Sequence, residues 1–533
     1  MVYDAIVVGG GIAGLTSAAY LTKAGYRVLL CEQHETVGGL VNSFQYKGFT
    51  FDGGIRAIEN SGIVRPCLEE LDIEVEFLEN VVSIGMADEL IKITSSESLA
   101  EYEQLLKSKF PDESSNITKI ILEIKKIMGY MDVLYGIKNP LFLDIKKHQT
   151  YYQKVIMPWL FKYLVTSRKI NQLQTPVNTY LREFTSNETL ISLITQHFFH
   201  ETPASFALSY FSLYLDYSYP KGGTGTLIEA LKTHSLERGA TIQTKTAICE
   251  IDITNQKLTD QHGKTYHYQT LIWAADQKAL YQQLKLESFN RPKIRRNIQK
   301  RQAFIQNKQG NDSVLSLYVT VNLSPDYFKA CCSAHTFYTP RLAGLSSLIE
   351  TLHDVSHRLT DVAEIYNWLR QYYEYTTYEI SIPVLRDQTL APPEKTGLII
   401  STLMDYELVK KLEVQGEYDA FKELSATCIL DVLEKTLFKD INLDVEDQFV
   451  STPITMTRYT KNTEGAITGW SFTNDKNPAV QNMTKVASSV LTPIPNVYQA
   501  GQWTFSPSGL PISILTAKLA ATKAIKQLSR KKD

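Results

Sequence analysis

The sequence predicts an α/β fold. A Rossmann-type dinucleotide-binding domain is assembled from separated segments and carries a mixed α+β domain and a helical insertion. Three observations predict it. The first thirty-two residues read strand, glycine turn, helix, strand, acid, which is the order a dinucleotide site needs. The same α/β texture returns near residue 220 and again near 497. Between residues 76 and 219 the glycines thin out and long helical patterns take over.

Asp4-Ala5-Ile6-Val7-Val8 is a buried strand of small and β-branched residues, and Gly9-Gly10-Gly11-Ile12-Ala13-Gly14 follows at once. Gly9 permits the tight turn, Gly11 lets a pyrophosphate approach the backbone, and Gly14 lets helix and strand pack closely. The helix from Leu15 to Lys23 offers unpaired N–H groups and a partial positive charge at its start. Val28-Leu29-Leu30-Cys31 then ends on Glu32, 18 residues past Gly14, near the usual offset for an acid that accepts hydrogen bonds from a ribose diol.

Bulk properties narrow the class. With 533 residues the chain exceeds one compact core. Hydrophobic residues make up 44% and charged residues 21%, a globular balance. A net charge of −2 asks for no nucleic-acid partner. The six cysteines form no CxxC and show no metal-ligand spacing, so the expectation is reduced thiols, no metal and a cytoplasmic setting. The first strand starts by Tyr3 and leaves no room for a signal peptide, and no apolar run approaches the length of a membrane span. Nothing in the sequence specifies an oligomeric state.

The remaining elements follow in order. Gly38-Gly39 is a tight turn beside the cofactor, and Phe49 to Asp52 a short strand before Gly53-Gly54. Helices are expected over Glu101 to Phe110, Ile117 to Met128 and Lys154 to Thr166. Pro220 to Gly225 leads into a helix, Thr226 to Arg238. Strands follow at Thr241 to Thr246, Ile248 to Ile251 and Thr270 to Asp276, with a hairpin through His262-Gly263-Lys264. Val314 to Val321 and Glu379 to Ile382 are strand candidates, and Val497 to Gly501 precedes a helix from Ile512 to Leu528. The expected division is a dinucleotide-binding domain from 1–75, 220–295 and 485–533, a helical, membrane-facing insertion over 76–219, and a substrate-binding domain over 296–484.

Taken together the motifs resemble the FAD-dependent phytoene desaturase, carotenoid isomerase and retinol saturase family, within the flavoprotein amine oxidase and glutathione-reductase-like superfamily. The resemblance is carried by Gly9 to Gly14 with Glu32, Gly38-Gly39, Phe49 to Gly54, Tyr219 to Gly223 and Trp273 to Asp276. It continues through Ser381 to Pro383 with Asp387, Leu390 to Pro393, Glu464 to Gly469, Gly501 and Pro507 to Pro511. It implies a glutathione-reductase-like FAD-binding domain with FAD as the cofactor. By this likeness Gly9, Gly11 and Gly14 face the pyrophosphate, Glu32 faces the adenosine ribose, and Ile12 and Ala13 belong to the cofactor site. Gly38, Gly39, Gly53 and Gly54 lie along the FAD, Ile248 meets the adenine, and Gly501 and Gln502 lie near the ribityl arm. Gly509, Leu510 and Ile512 set a helix start at the flavin pyrimidine edge. Leu40 and Gln502 depart from the residues that many relatives carry there. Ile55-Arg56 stands where retinol-saturase-like members often show Ile-His, which makes Arg56 a candidate catalytic group on the substrate side; the alternative is a partner of Glu59 or of a phosphate.

The resemblance also implies chemistry on C–C bonds of a long apolar, polyene substrate of carotenoid, retinoid or lipid-like type, by desaturation, saturation or cis–trans isomerisation. A flavin amine oxidase and a flavin-bearing lipid-binding protein without turnover are the alternatives. The run from His197 to Tyr219 is crowded with aromatics, among them Phe199, Phe206, Tyr210 and Tyr214. It reads either as the wall of an apolar tunnel for this substrate or as core packing. His200 and Glu201 in the same run are acid–base candidates or a structural pair. Tyr372, Tyr373, Tyr375 and Tyr378 read as surface and strand packing. Ile156 to Leu164 is apolar and aromatic with interspersed lysine, which suits peripheral membrane contact or a buried helix. Lys523, Lys526, Arg530, Lys531 and Lys532 make a basic helix end suited to the helix dipole or to an anionic membrane.

Overall fold

A computed structural model describes residues 2–143, 148–286 and 289–530. The first strand, β1 (Val2–Val8), is followed by α1 (Ile12–Lys23) and β2 (Val28–Cys31). β1 lies in the middle of an eight-stranded sheet, parallel to β2 on one side and to Thr265–Trp273 on the other. Thr241–Gln243 extends the sheet beyond β2, and Val497–Gln499 pairs parallel with Thr265–Trp273. One sheet is thus built from three stretches separated by hundreds of residues.

Side chains of β1 alternate between two layers. Ala5 and Val7 join the core formed with α1 and the C-terminal helix Leu510–Ser529, while Ile6 and Val8 join the layer containing Trp273, Trp470 and Trp503. Burial on both faces is why β1 and β2 are continuous apolar runs rather than alternating ones.

A second, seven-stranded sheet runs in the order Val445–Ser451, Ser313–Val321, Thr396–Met404, Tyr378–Ser381, His335–Thr339, Val82–Met86, Glu89–Ile93. Its last two strands come from the 76–219 segment, which is therefore not helical throughout. Alternating Val82, Ile84 and Met86 are a strand pattern too short to stand out beside the long helices after them. Those helices, Ser98–Lys109, Ser114–Tyr135 and Met157–Gln172, overlap the three expected spans, and the second encloses its span entirely. Ile117, Ile120, Ile124, Ile127 and Met131 form the buried stripe of the longest. A small three-stranded sheet has Tyr217–Pro220 flanked by Ile58–Glu59 and Phe77–Glu79.

Two expectations change. Tyr372, Tyr373 and Tyr378 are not surface residues: all three are fully buried in the core of the second sheet. Their hydroxyls are satisfied internally, Tyr373 donating to Ser425 at 2.7 Å and Tyr372 to the Leu403 carbonyl at 2.6 Å. The 156–164 stretch is not a buried helix: Phe161 is 74% and Met157 64% exposed. No helix among the described residues is long and apolar enough to cross a membrane. Lys531 and Lys532 lie outside the described residues.

Candidate active site and cofactor channel

Two chambers meet inside the protein. The first, about 380 Å3, lies over the turn from β1 to α1. The glycines there do different work. Gly9 has φ of 102°, and a Cβ on it would stand 2.6 Å from the Ala274 carbonyl oxygen. A Cβ on Gly14 would stand 1.8 Å from the Gly9 carbonyl oxygen, so only glycine lets α1 close onto the turn. Above Gly11 the space is open: a Cβ there meets nothing nearer than the Gly38 oxygen at 3.9 Å. Gly11 is the N-cap of α1 and no side chain caps it, so the helix start is available to an anion.

Glu32 is buried and pinned at the chamber wall. Its Oε2 accepts from the Gly10 N–H at 2.6 Å and its Oε1 from the His34 N–H at 2.9 Å. Each oxygen retains acceptor capacity for a ribose diol. Gly9, Gly11, Ile12, Ala13, Glu32, Gly38, Gly39, Ile248, Gly501 and Gln502 line this chamber. Gly14 does not, because its place is in the packing. Residues 459–462 close the chamber, and no sequence motif announced them. Tyr459 stacks on His34 with ring centres 4.5 Å apart and accepts from Asn42 Nδ2 at 2.7 Å.

The second chamber, about 360 Å3, shares Ile12, Leu40, Val41, Gln502 and Ser513 with the first. Gly53, Gly54, Gly509, Leu510 and Ile512 line it at that junction. Gly509 is the N-cap of the C-terminal helix, again without a side-chain cap. The chamber then passes Phe199, Phe206 and Tyr210 and reaches the helices Ser114–Tyr135 and Met157–Gln172, which present Met131, Ser167 and Ile170 to it. Tyr214 turns away into an adjoining pocket of about 50 Å3, where its hydroxyl lies 3.4 Å from His197 Nε2; Tyr210 touches both spaces. His200 and Glu201 line none of these chambers, and their side chains are 41% and 42% exposed.

Arg56 lies at the inner end of the second chamber. Its guanidinium donates to the carbonyls of Asp52 at 2.7 Å and Gly54 at 2.5 Å rather than to Glu59. Ser316 and Ser401 lie 3.3 Å from its other terminal nitrogen. His335 and Glu379 from the second sheet complete this polar end. No motif carried them, since each is a single polar residue on a strand. Arg386 Nε donates to Asn80 Oδ1, which turns the Asn80 amide nitrogen toward His335 Nδ1 at 3.5 Å. His335 Nδ1 is then the acceptor and Nε2–H donates to Glu379 Oε1 at 2.9 Å.

Burial drives the electrostatics of this end. It lowers His335 below the usual imidazole range. Burial alone would raise Glu379, but the His335 hydrogen bond and the charges of Arg56 and Arg386 hold it below the usual carboxylate range. Glu59, also on the chamber wall, is pushed up to about 7 by burial, with the Asp216 charge adding to the rise.

The channel fits FAD. It has an open backbone cradle at an uncapped helix start, a fixed carboxylate for a ribose, and a second uncapped helix start where the two chambers join. A family of NAD(P)-binding Rossmann-like domains matches residues 7–71. Prolycopene isomerase of Daucus carota is 25% identical over 480 residues, spanning 86% of this chain and 70% of its own. The 4,4'-diapophytoene desaturase of Staphylococcus haemolyticus is 22% identical and covers 99% of both chains. The fold matches cyclohexylamine oxidase from Brevibacterium oxydans with a TM-score of 0.57 at 13% identity, over 99% of this chain and 100% of the other. The chain is an FAD-dependent oxidoreductase, similar in sequence to carotenoid isomerases and desaturases and sharing the fold of the amine oxidases.

Proposed function

We propose that the protein acts on C–C bonds of a long apolar polyene by desaturation, saturation or cis–trans isomerisation. Bound FAD supplies the two-electron acceptor or donor. The observation that carries this reading is the second chamber, which runs from the Gly509 helix start past Phe199, Phe206 and Tyr210 to the insertion helices. A long hydrocarbon needs such an apolar path.

The chain's own residues hold FAD in this reading. Glu32 takes the ribose, Ile248 the adenine, and the open backbone from Gly11 to Ala13 the phosphates. Gly38, Gly39, Gly501 and Gln502 line the arm. Gly53, Gly54 and the start of the C-terminal helix, from Gly509 to Ile512, receive the flavin, where the helix dipole favours negative charge. The FAD-binding part comprises 1–75, 220–295 and 485–533. The other two segments, 76–219 and 296–484, enclose the substrate.

Substrate arrives from a lipid surface in this reading. Met157, Leu160, Phe161, Leu164 and Val165 form an exposed apolar face, and Ser167, Ile170 and Asn171 of the same helix line the chamber. Lys154, Lys162 and Lys169 flank that face. The arrangement suits peripheral insertion into a bilayer interface. The six cysteines are all unpaired, which fits a reducing compartment such as the cytoplasm.

Anaerobic titration of the FAD-loaded protein tests the reading. Bleaching of the flavin by a polyene marks desaturation, reoxidation of reduced flavin by a polyene marks saturation, and isomer conversion without net electron flow marks isomerisation. A flavin reduced by amines and indifferent to every polyene overturns it. So does one that binds apolar lipid with neither electron exchange nor isomer conversion.

A further inference from the structure

The second chamber needs a group that can move a proton. Forming or removing a C=C bond transfers a hydride and a proton, and FAD accounts only for the hydride. Several side chains on the wall titrate in the wrong range. Tyr135, Tyr210, Tyr217 and Tyr318 are all raised above the usual phenol range by burial. The Arg56 guanidinium carries only donors and is occupied by the carbonyls of Asp52 and Gly54. His335 is held neutral, donating Nε2–H to Glu379, and Glu379 is held ionised.

Glu59 remains. It ends the strand Ile58–Glu59, whose register partner is Tyr217. The Tyr217 ring stacks on His335 at 5.5 Å and 10°, so Glu59 and Glu379 stand at the two ends of one contact chain along the wall. Glu59 Oε1 lies 3.2 Å from where a Cβ on Gly509 would be, which sets the carboxyl at the start of the C-terminal helix. No side chain among the described residues donates a hydrogen bond to it. We propose that Glu59 is the proton-transfer residue of this chamber, giving a proton to substrate carbon in the saturating direction and taking one in the desaturating direction.

The inference rests on the proposed polyene chemistry. In saturation, one carbon of the C=C bond receives a hydride carrying both electrons from reduced FAD, and the neighbouring carbon receives the Glu59 proton. Glu59 is left as a carboxylate. In desaturation the hydride leaves to oxidised FAD, the adjacent C–H loses its proton to the Glu59 carboxylate, and the C–H bonding pair becomes the new π bond. A group that titrates near neutrality serves both directions. Asp216, Tyr135, Tyr210 and Tyr217 face Glu59, and of these Asp216 raises its proton affinity by charge. Glu379, faced by His335, Arg56, Arg386 and His197, supplies a fixed negative charge instead. Two carboxyls with opposite shifts in one site mark divided acid–base roles.

Infrared titration of the FAD-loaded protein and single-turnover kinetics test this together. The expected results are a protonated carboxyl band that disappears as pH rises through about 7 and is missing in Glu59→Gln. Flavin reduction or reoxidation by a responding polyene then slows about 10²–10⁴-fold in Glu59→Gln, with FAD content and polyene affinity unchanged. Glu59→Asp restores part of the rate and displaces the pH profile. A band that persists in Glu59→Gln overturns the proposal, as does an unchanged rate. A loss confined to polyene affinity also overturns it, since Glu59 would then bind a polar end of the substrate. If no polyene affects the wild-type flavin, the proposed function fails and takes this inference with it. A responsive wild type with an equally fast Glu59→Gln removes only the inference.

Discussion

At the residue scale, neighbouring glycines and acids that look alike in sequence do unlike things. Gly9 and Gly14 are required by packing, whereas Gly11 leaves open space above its backbone. Glu32 is held by two backbone N–H groups and remains available to a ribose. Glu32→Ala is expected to weaken FAD binding by about 1–3 kcal/mol through loss of charge-assisted hydrogen bonds; flavin fluorescence titration measures it, and unchanged affinity removes Glu32 from the site. Glu59 carries a pH signature of its own. Its pKa is raised from 4.5 to about 7 in the folded chain, so between those values the folded state binds more protons than the unfolded one. The Glu59 contribution to stability therefore falls as pH rises through that window and is flat above it. Urea unfolding of FAD-free wild type and Glu59→Gln at pH 5 and pH 8 measures the difference, and the variant is expected to lose relatively less stability at the higher pH.

At the element scale, legibility depended on whether a segment's pattern was local. The β1–α1–β2 unit was legible because strand, turn, helix and acid are contiguous, and its geometry follows from the glycines themselves. The Tyr372–Tyr378 cluster was not, because tyrosine reads as amphipathic; only the fold reveals that internal acceptors let every one of Tyr372, Tyr373 and Tyr378 be buried. His335 and Glu379 were invisible for a related reason. Each is one polar residue on a strand, and they meet only because their strands pair in the second sheet. Met157–Gln172 was ambiguous until its outer face proved exposed. That face supports a prediction: Phe161→Glu is expected to reduce binding to phosphatidylcholine–phosphatidylglycerol vesicles by about tenfold or more, since burying a phenylalanine contributes roughly 1.5–3 kcal/mol. Cosedimentation measures it. An unchanged bound fraction with retained FAD content removes this face from membrane contact.

At the scale of the whole molecule, the cofactor channel joins parts of the chain that contact one another little in sequence. Its walls come from the β1–α1 turn, from Thr246 to Cys249, from residues 459–462, and from Ala500 to Trp503 with Ser513. A ligand that spans them binds only when all are docked, so its binding energy stabilises the assembled arrangement rather than one element. At a free FAD concentration about a hundredfold above Kd the gain is about 2.7 kcal/mol. The gain should also be distributed. Hydrogen exchange of the loaded and FAD-free protein is expected to show added protection together at Gly10 to Ala13, around Ile248 and at Gly501 to Ser513. The Tyr372–Tyr378 core, which touches neither chamber, should change little. Protection confined to Gly10–Ala13 would mean that the nucleotide end binds alone and that the flavin end is not held by the C-terminal helix. That outcome would separate the dinucleotide motif, which the first thirty-two residues encode, from the flavin site, which depends on the return of the chain after residue 497.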